Sequence, residues 1–132
     1  MSETILPDGW PRPSGYSEGL KAGGDVLMAA GQVGWDPRTH VFESDDFVAQ
    51  VRQALQNVKD VLGAAGARTA HVVRMTWYIT DRDDYVLRLE EVGKAYREVF
   101  GAHYPAMSLV IVAGLLEPGA KVEIEATAVL PE

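Results

Sequence analysis

The hydrophobic period of this chain changes along its length, and those changes restrict its fold more than any other feature. From Phe47 onward, Val51, Ala54, Leu55, Val58, Val61, Leu62 and Ala65 recur at intervals of three and four. That spacing lays them along one stripe of an α-helix. Ser44 or Asp45 stands where a side chain can accept from the orphan amides of a first turn, and Gly63 or Gly66 where the helix can stop. A second stripe, Tyr85, Val86, Leu89, Val92, Tyr96, Val99 and Phe100, follows a cap at Asp81 or Asp83 and ends at Gly101. Elsewhere the period is two. In VEIEATAVL, residues 122–130, Val122, Ile124, Ala126, Ala128 and Leu130 share one face, and Glu123, Glu125 and Thr127 the other.

HVVRMTWYIT, residues 71–80, is rich in β-branched and aromatic types and predicts a strand, as does AMSLVIVAGLL from Ala106. SEGLKAGGDVLMAAGQVG predicts two short strands around a turn at Gly23-Gly24-Asp25. Glu117-Pro118-Gly119-Ala120 places proline and glycine where a type II turn wants them. Residues 1–15 hold three prolines and no periodicity, which predicts an extended N-terminal arm. The order is therefore ββαβαββ. Right-handed crossovers would put both helices on one face of a mixed sheet, an α+β two-layer arrangement. At 132 residues the chain suits a single domain.

Composition removes several functions. A formal net charge of −7 lacks the basic footprint that phosphate backbones demand, so nucleic acid is not an expected partner. With no cysteine, disulfides, thiolate metal sites and a cysteine nucleophile are excluded. His40, His71 and His103 lack metal-ligand spacing, so no metal is expected. The glycine-rich segments lack a phosphate-loop pattern. No signal pattern and no membrane-spanning apolar run is visible, which predicts a cytoplasmic protein.

Two helices leave one face of the sheet bare. Yet Val26 to Ala30 and Leu109 to Ala113 are apolar at every position, on both faces. Burying one Val, Leu or Ile is worth roughly 1.5–3 kcal/mol, and leaving several exposed makes a sticky patch. Further copies of the chain are expected to cover that face, as in most homo-oligomers. Glu123 and Glu125 then point toward the covered side. They reach solvent at a seam, pair with a cation such as Arg74 or Lys121, or line an inter-subunit cleft and handle a proton.

Certain segments, in their order and spacing, resemble one family. They are Ser14-Gly15-Tyr16-Ser17-Glu18-Gly19, Ala30-Gly31-Gln32-Val33, Asp36-Pro37-Arg38-Thr39, Ala54-Leu55-Gln56-Asn57-Val58, Tyr104-Pro105-Ala106 and Val122-Glu123-Ile124-Glu125-Ala126. The family is the Rid group, the YjgF-like reactive intermediate deaminases, and the resemblance runs from about Ser14 to Leu130. It implies a chorismate-mutase-like fold and a homotrimer with small-molecule clefts at subunit interfaces. It also implies hydrolysis of enamines and imines to a carbonyl compound and ammonia, without a cofactor. By the same resemblance, Glu123 is the catalytic carboxylate that holds the attacking water. Tyr16, Gly31 and Tyr85 contact the substrate, as does position 107.

The chain departs from the family at Met107, where the pattern reads Pro-Ala-Arg-Ser and this sequence Pro105-Ala106-Met107-Ser108. A thioether cannot make the bidentate grip of an arginine on a carboxylate. Gly93 also replaces an asparagine often found in the second helix. The expected substrate either lacks the usual carboxylate or binds it elsewhere. Arg74 is one candidate for the missing charge, against a plain salt bridge to a glutamate. A second reading is a non-catalytic trimer that binds a small metabolite or a partner in apolar clefts.

Overall fold

The computed structural model describes residues 2–131. Its strands are β1 (Ser2–Ile5), β2 (Gly19–Ala22), β3 (Asp25–Val33), β4 (Val72–Ile79), β5 (Ala106–Ile111) and β6 (Val122–Leu130). Its helices are α1 (Phe47–Ala64), α2 (Arg82–Val86) and α3 (Leu89–Phe100). No helix among the described residues is long and apolar enough to cross a membrane.

The α1 cap is Asp46, one residue beyond Asp45 and two beyond Ser44. Asp46 Oδ2 accepts from the Ala49 N–H at 3.0 Å, while Ser44 Oγ accepts from the Asp46 N–H at 3.0 Å. At the other end Gly66 adopts φ 78°. The Gly66 N–H donates to the Gly63 carbonyl at 3.0 Å and the Ala67 N–H to that of Leu62 at 2.9 Å, the paired bonds of a Schellman cap.

The second stripe does not form one helix. It breaks at Leu87-Arg88, where Arg88 leaves helical geometry at φ −130°. The Arg88 guanidinium donates to Glu91 Oε2 at 2.6 Å and to Asp46 Oδ1 at 2.7 Å. That fork ties the start of α3 to the start of α1.

The main sheet has the order β3-β6-β4-β5, with β4 and β5 parallel and the other pairs antiparallel. The last strand of the chain thus inserts between β3 and β4, and only the β4–α3–β5 unit makes an adjacent parallel pair. β2 and β3 flank the Gly23-Gly24 turn but do not pair with each other. β2 instead pairs with β1, Ser2 opposite Ala22, so the extended arm carries a strand. Ser17 anchors this region to the end of β5. Its N–H donates to the Pro105 carbonyl at 3.0 Å and its hydroxyl to that of Tyr104 at 2.6 Å.

The core lies between the helices and one face of this sheet. Val51, Leu55, Val58 and Leu62 of α1 and Val92, Ala95 and Phe100 of α3 meet Val72, Met75, Ile79, Val122 and Ile124. Two buried amides lock the loops onto α1. Asn57 Nδ2 donates to the carbonyls of Val33 (3.1 Å) and Trp35 (2.9 Å). Gln50 donates to those of Ser44 and Gly119, each at 3.0 Å, and accepts from the Lys121 N–H at 2.9 Å. Unpartnered, a buried polar group of this kind costs about 1–3 kcal/mol. These bonds hold the ends of β3 and β6 in place.

The opposite face is only partly apolar. Val26 and Met28 are 60% and 76% exposed, and Val110 is also exposed. Ala29 of the same run belongs to the core instead, and Leu27 packs against it. Between these edges, β4 and β6 present Thr76, Tyr78, Glu123, Glu125 and Thr127.

Candidate functional site

Glu123 lies between Val122 and Ile124, both fully buried on the helix side. Strand alternation therefore sends its carboxylate to the open face. Beside it β3 shifts register between Ala29 and Gln32, a bulge that carries Gly31. The Glu123 carboxylate lies over Gly31, where any Cβ would collide with Oε2. Glycine here provides space, and it leaves a carboxylate and a bare stretch of backbone at one spot.

The neighbouring Glu125 is already engaged, accepting from the Tyr78 hydroxyl at 2.5 Å. That bond, followed by desolvation and the charges of Glu125 and Glu123, raises the Tyr78 pKa. Among the described residues Arg74 forms no salt bridge with a glutamate, one of the two alternatives for it. Ion pairs among the described residues join Arg52 to Glu98, Arg82 to Asp83, and Arg88 to Asp46 and Glu91.

A second region opens on the helix side, along the outer edge of β5. There a groove of about 1100 Å³ runs between α3 and the N-terminal segment. Tyr16, Tyr85 and Met107 all line it, together with Trp77, Tyr96 and Tyr104. Met107 pairs in register with the fully buried Met75, which sets its side chain toward the helices. The aromatic walls support one another. Trp77 and Tyr85 meet edge to face at 6.5 Å, and Tyr96 stacks on Tyr104 at 5.6 Å. Burial raises the phenol pKa values of Tyr85 and Tyr96. The Tyr96 hydroxyl donates to the His103 carbonyl at 2.6 Å. His103 Nε2 lies 2.6 Å from the Val72 carbonyl, so this residue, itself part of the groove lining, ties the groove to the start of β4.

The site residues predicted from the sequence therefore fall into two sets. Gly31 and Glu123 meet on the open face, whereas Tyr16, Tyr85 and Met107 meet in the groove, with the sheet between them. Within one protomer they do not form a single pocket. Arg97, a groove residue, had no role in the sequence reading. Its spacing of four from Gly93 is the signal that could have marked it. Nη1 of Arg97 rests 3.2 Å from where a Cβ on residue 93 would stand. A glycine inside a helix costs about 1 kcal/mol against alanine, so the room at position 93 comes at the expense of helix stability.

Comparison with known proteins identifies the family. A family model described as endoribonuclease L-PSP matches residues 11–130. The chain is similar to a 2-iminobutanoate/2-iminopropanoate deaminase of Salmonella typhimurium, 37% identical over 133 residues, with 98% of each protein covered. A crystal structure of YyfB from Yersinia pestis, described as a conserved Rid family protein of unknown function, matches with a TM-score of 0.85. Its identity is 34%, with 98% of both chains covered. The structure of E. coli TdcF with bound serine matches with a TM-score of 0.69 at 32% identity, over 98% of this chain and 99% of that one. Matched almost end to end in sequence and in fold, the chain belongs to the endoribonuclease L-PSP family, the Rid or YjgF-like proteins.

Proposed function

We propose that this chain hydrolyses a reactive imine or enamine to a carbonyl compound and ammonia, at clefts between the subunits of a homotrimer. The observation that carries this reading is the Glu123 carboxylate seated over Gly31 on the open face. A carboxylate so placed can hold a water and take its proton. An enamine first moves a proton from its nitrogen to its β-carbon and becomes the imine. Water held by Glu123 then attacks the C=N carbon, a C–O bond forms, and the released proton passes through Glu123 to the nitrogen. The carbinolamine hydroxyl then gives up its proton, which passes through Glu123 to the amino nitrogen as the C–N bond breaks, so ammonia leaves and the carbonyl forms.

In the trimer, a neighbour's groove, with its Tyr16, Tyr85 and Met107, would face Gly31 and Glu123 and bring the two sets together. Val26 and Met28 would be covered by the same contact. The relatives named as deaminases support the chemistry, and TdcF with serine supports a ligand of amino-acid size. Met107 gives this groove an apolar, adaptable wall and so a substrate preference different from that of those relatives.

Glu123→Gln keeps the side-chain shape and removes the base. Ammonia release from imines generated in situ is expected to fall about 100-fold or more, with the assembly intact by light scattering. Undiminished turnover in that variant would remove Glu123 from the reaction. A wild type that releases no ammonia from carboxylated or uncarboxylated imines would instead favour the non-catalytic binding trimer.

A further inference from the structure

The groove is electrically at odds with the rest of the chain. The whole sequence carries a net charge of −7, yet the charged residues lining the groove are Arg12 and Arg97 against a single Glu18. Arg97 is in none of the ion pairs among the described residues. Helix geometry tilts its stem back toward the preceding turn. There the guanidinium lies across Gly93, itself a groove residue, and the missing side chain gives it room. A second donor stands in the same wall. Trp77 is 3% exposed, and its indole Nε1–H is buried with no hydrogen-bond partner among the described residues.

We infer that Arg97 is the anion-holding residue of this groove, and that the ligand is a small carboxylate whose apolar remainder lies against the aromatic walls. A guanidinium offers a planar fork of donors that matches a carboxylate's two oxygens. Met107, in the same groove, has no charge to contribute and packs against the ligand's apolar part. Arg97 reaches in from α3, so its charge enters along the helix flank and not from the sheet. The inference rests on the proposed hydrolysis only in identifying the carboxylate as that of a substrate or product.

The probe is 2-oxobutanoate, a stable 2-oxo acid, compared with its uncharged amide by calorimetric titration. The wild type is expected to prefer the acid by about tenfold or more, the range of a charge-assisted contact. Arg97→Gln is expected to abolish that preference, Arg97→Lys to keep part of it, and Arg12→Gln to leave most of it. Gly93→Asn, which fills the place where the guanidinium rests, is expected to weaken the acid alone. Circular dichroism melts verify that each variant folds, which exposed Arg97 makes straightforward. A wild type with no preference for the acid would overturn the inference. So would a preference that survives Arg97→Gln or is lost with Arg12→Gln instead. Ammonia assays on the same proteins separate the two readings. Arg97-dependent binding without turnover ends the hydrolase and leaves the anion site. Turnover and acid preference both indifferent to Arg97 end the anion site and leave the hydrolase.

Discussion

On the helix side of β6, Val122, Ile124 and Ala128 are buried completely. On the opposite side of the same strand Glu123, Glu125 and Thr127 keep partial access, and on adjacent β3 Val26 and Met28 stand largely in solvent. The first face is finished by α1 and α3, which the chain itself supplies. The second is finished by nothing among the described residues. Its centre is made tolerable by polar groups such as the Tyr78–Glu125 pair, and its β3 edge is left greasy. A face completed internally carries stability. A face left open with a carboxylate over bare backbone is where the proposed assembly and chemistry would act.

Substitutions on each face test that division, and their expected costs to folding differ. Ile124→Ala on the finished face leaves a void beneath α1 and is expected to cost about 2–5 kcal/mol in denaturant unfolding. A loss well under 1 kcal/mol would mean that the helix layer does not grip the sheet as described.

Asp46 sits at the seam of the two helices that make the cover. Its carboxyl is held below its usual pKa first by the Arg88 hydrogen bond and then by the Ala49 N–H. A depressed carboxylate stabilises the fold above its unfolded pKa of about 3.9 and loses that contribution as pH falls through the lower folded value. Asp46→Ala should therefore cost about 1 kcal/mol at pH 7, chiefly as a lost cap, since an exposed ion pair adds only a few tenths. The gap between wild type and variant should narrow as pH drops below about 4, seen in urea melts at pH 7 and pH 3. A constant gap would place the stabilisation elsewhere.

Val26→Ser combined with Met28→Ser on the unfinished face should cost the protomer least, about 0.5 kcal/mol or less per site. Its effect should appear instead in light scattering, as a fall from the mass of the proposed trimer to that of one chain. A wild type that already has the mass of one chain would break the comparison, because the open face would then need no cover.

Much of this architecture is legible in residue order. The α1 stripe, the alternation in β6, the Gly66 stop and the turn closed by the Ala120 N–H on the Glu117 carbonyl at 3.1 Å all form where their spacing predicts. The break at Leu87-Arg88 is not legible, because the stripe continues through it. What makes the break is the Arg88 fork onto Asp46, a contact across 42 positions. The open face was also overestimated as apolar, since a run such as Val26 to Ala30 does not say which residues turn inward.

For the site, the alternation of VEIEATAVL was enough to set Glu123 apart from the core. It could not show that Glu123 would meet Gly31, which requires the last strand to insert beside β3. Nor could it show that Tyr16, Tyr85 and Met107 would gather on the far side of the sheet, or that Arg97 would join them. Periods, caps and turns arise from atoms a few residues apart, so residue order specifies them. Strand partners and side chains brought across the sheet depend on contacts between distant segments, which compete until the whole core packs, and only the folded chain resolves that competition.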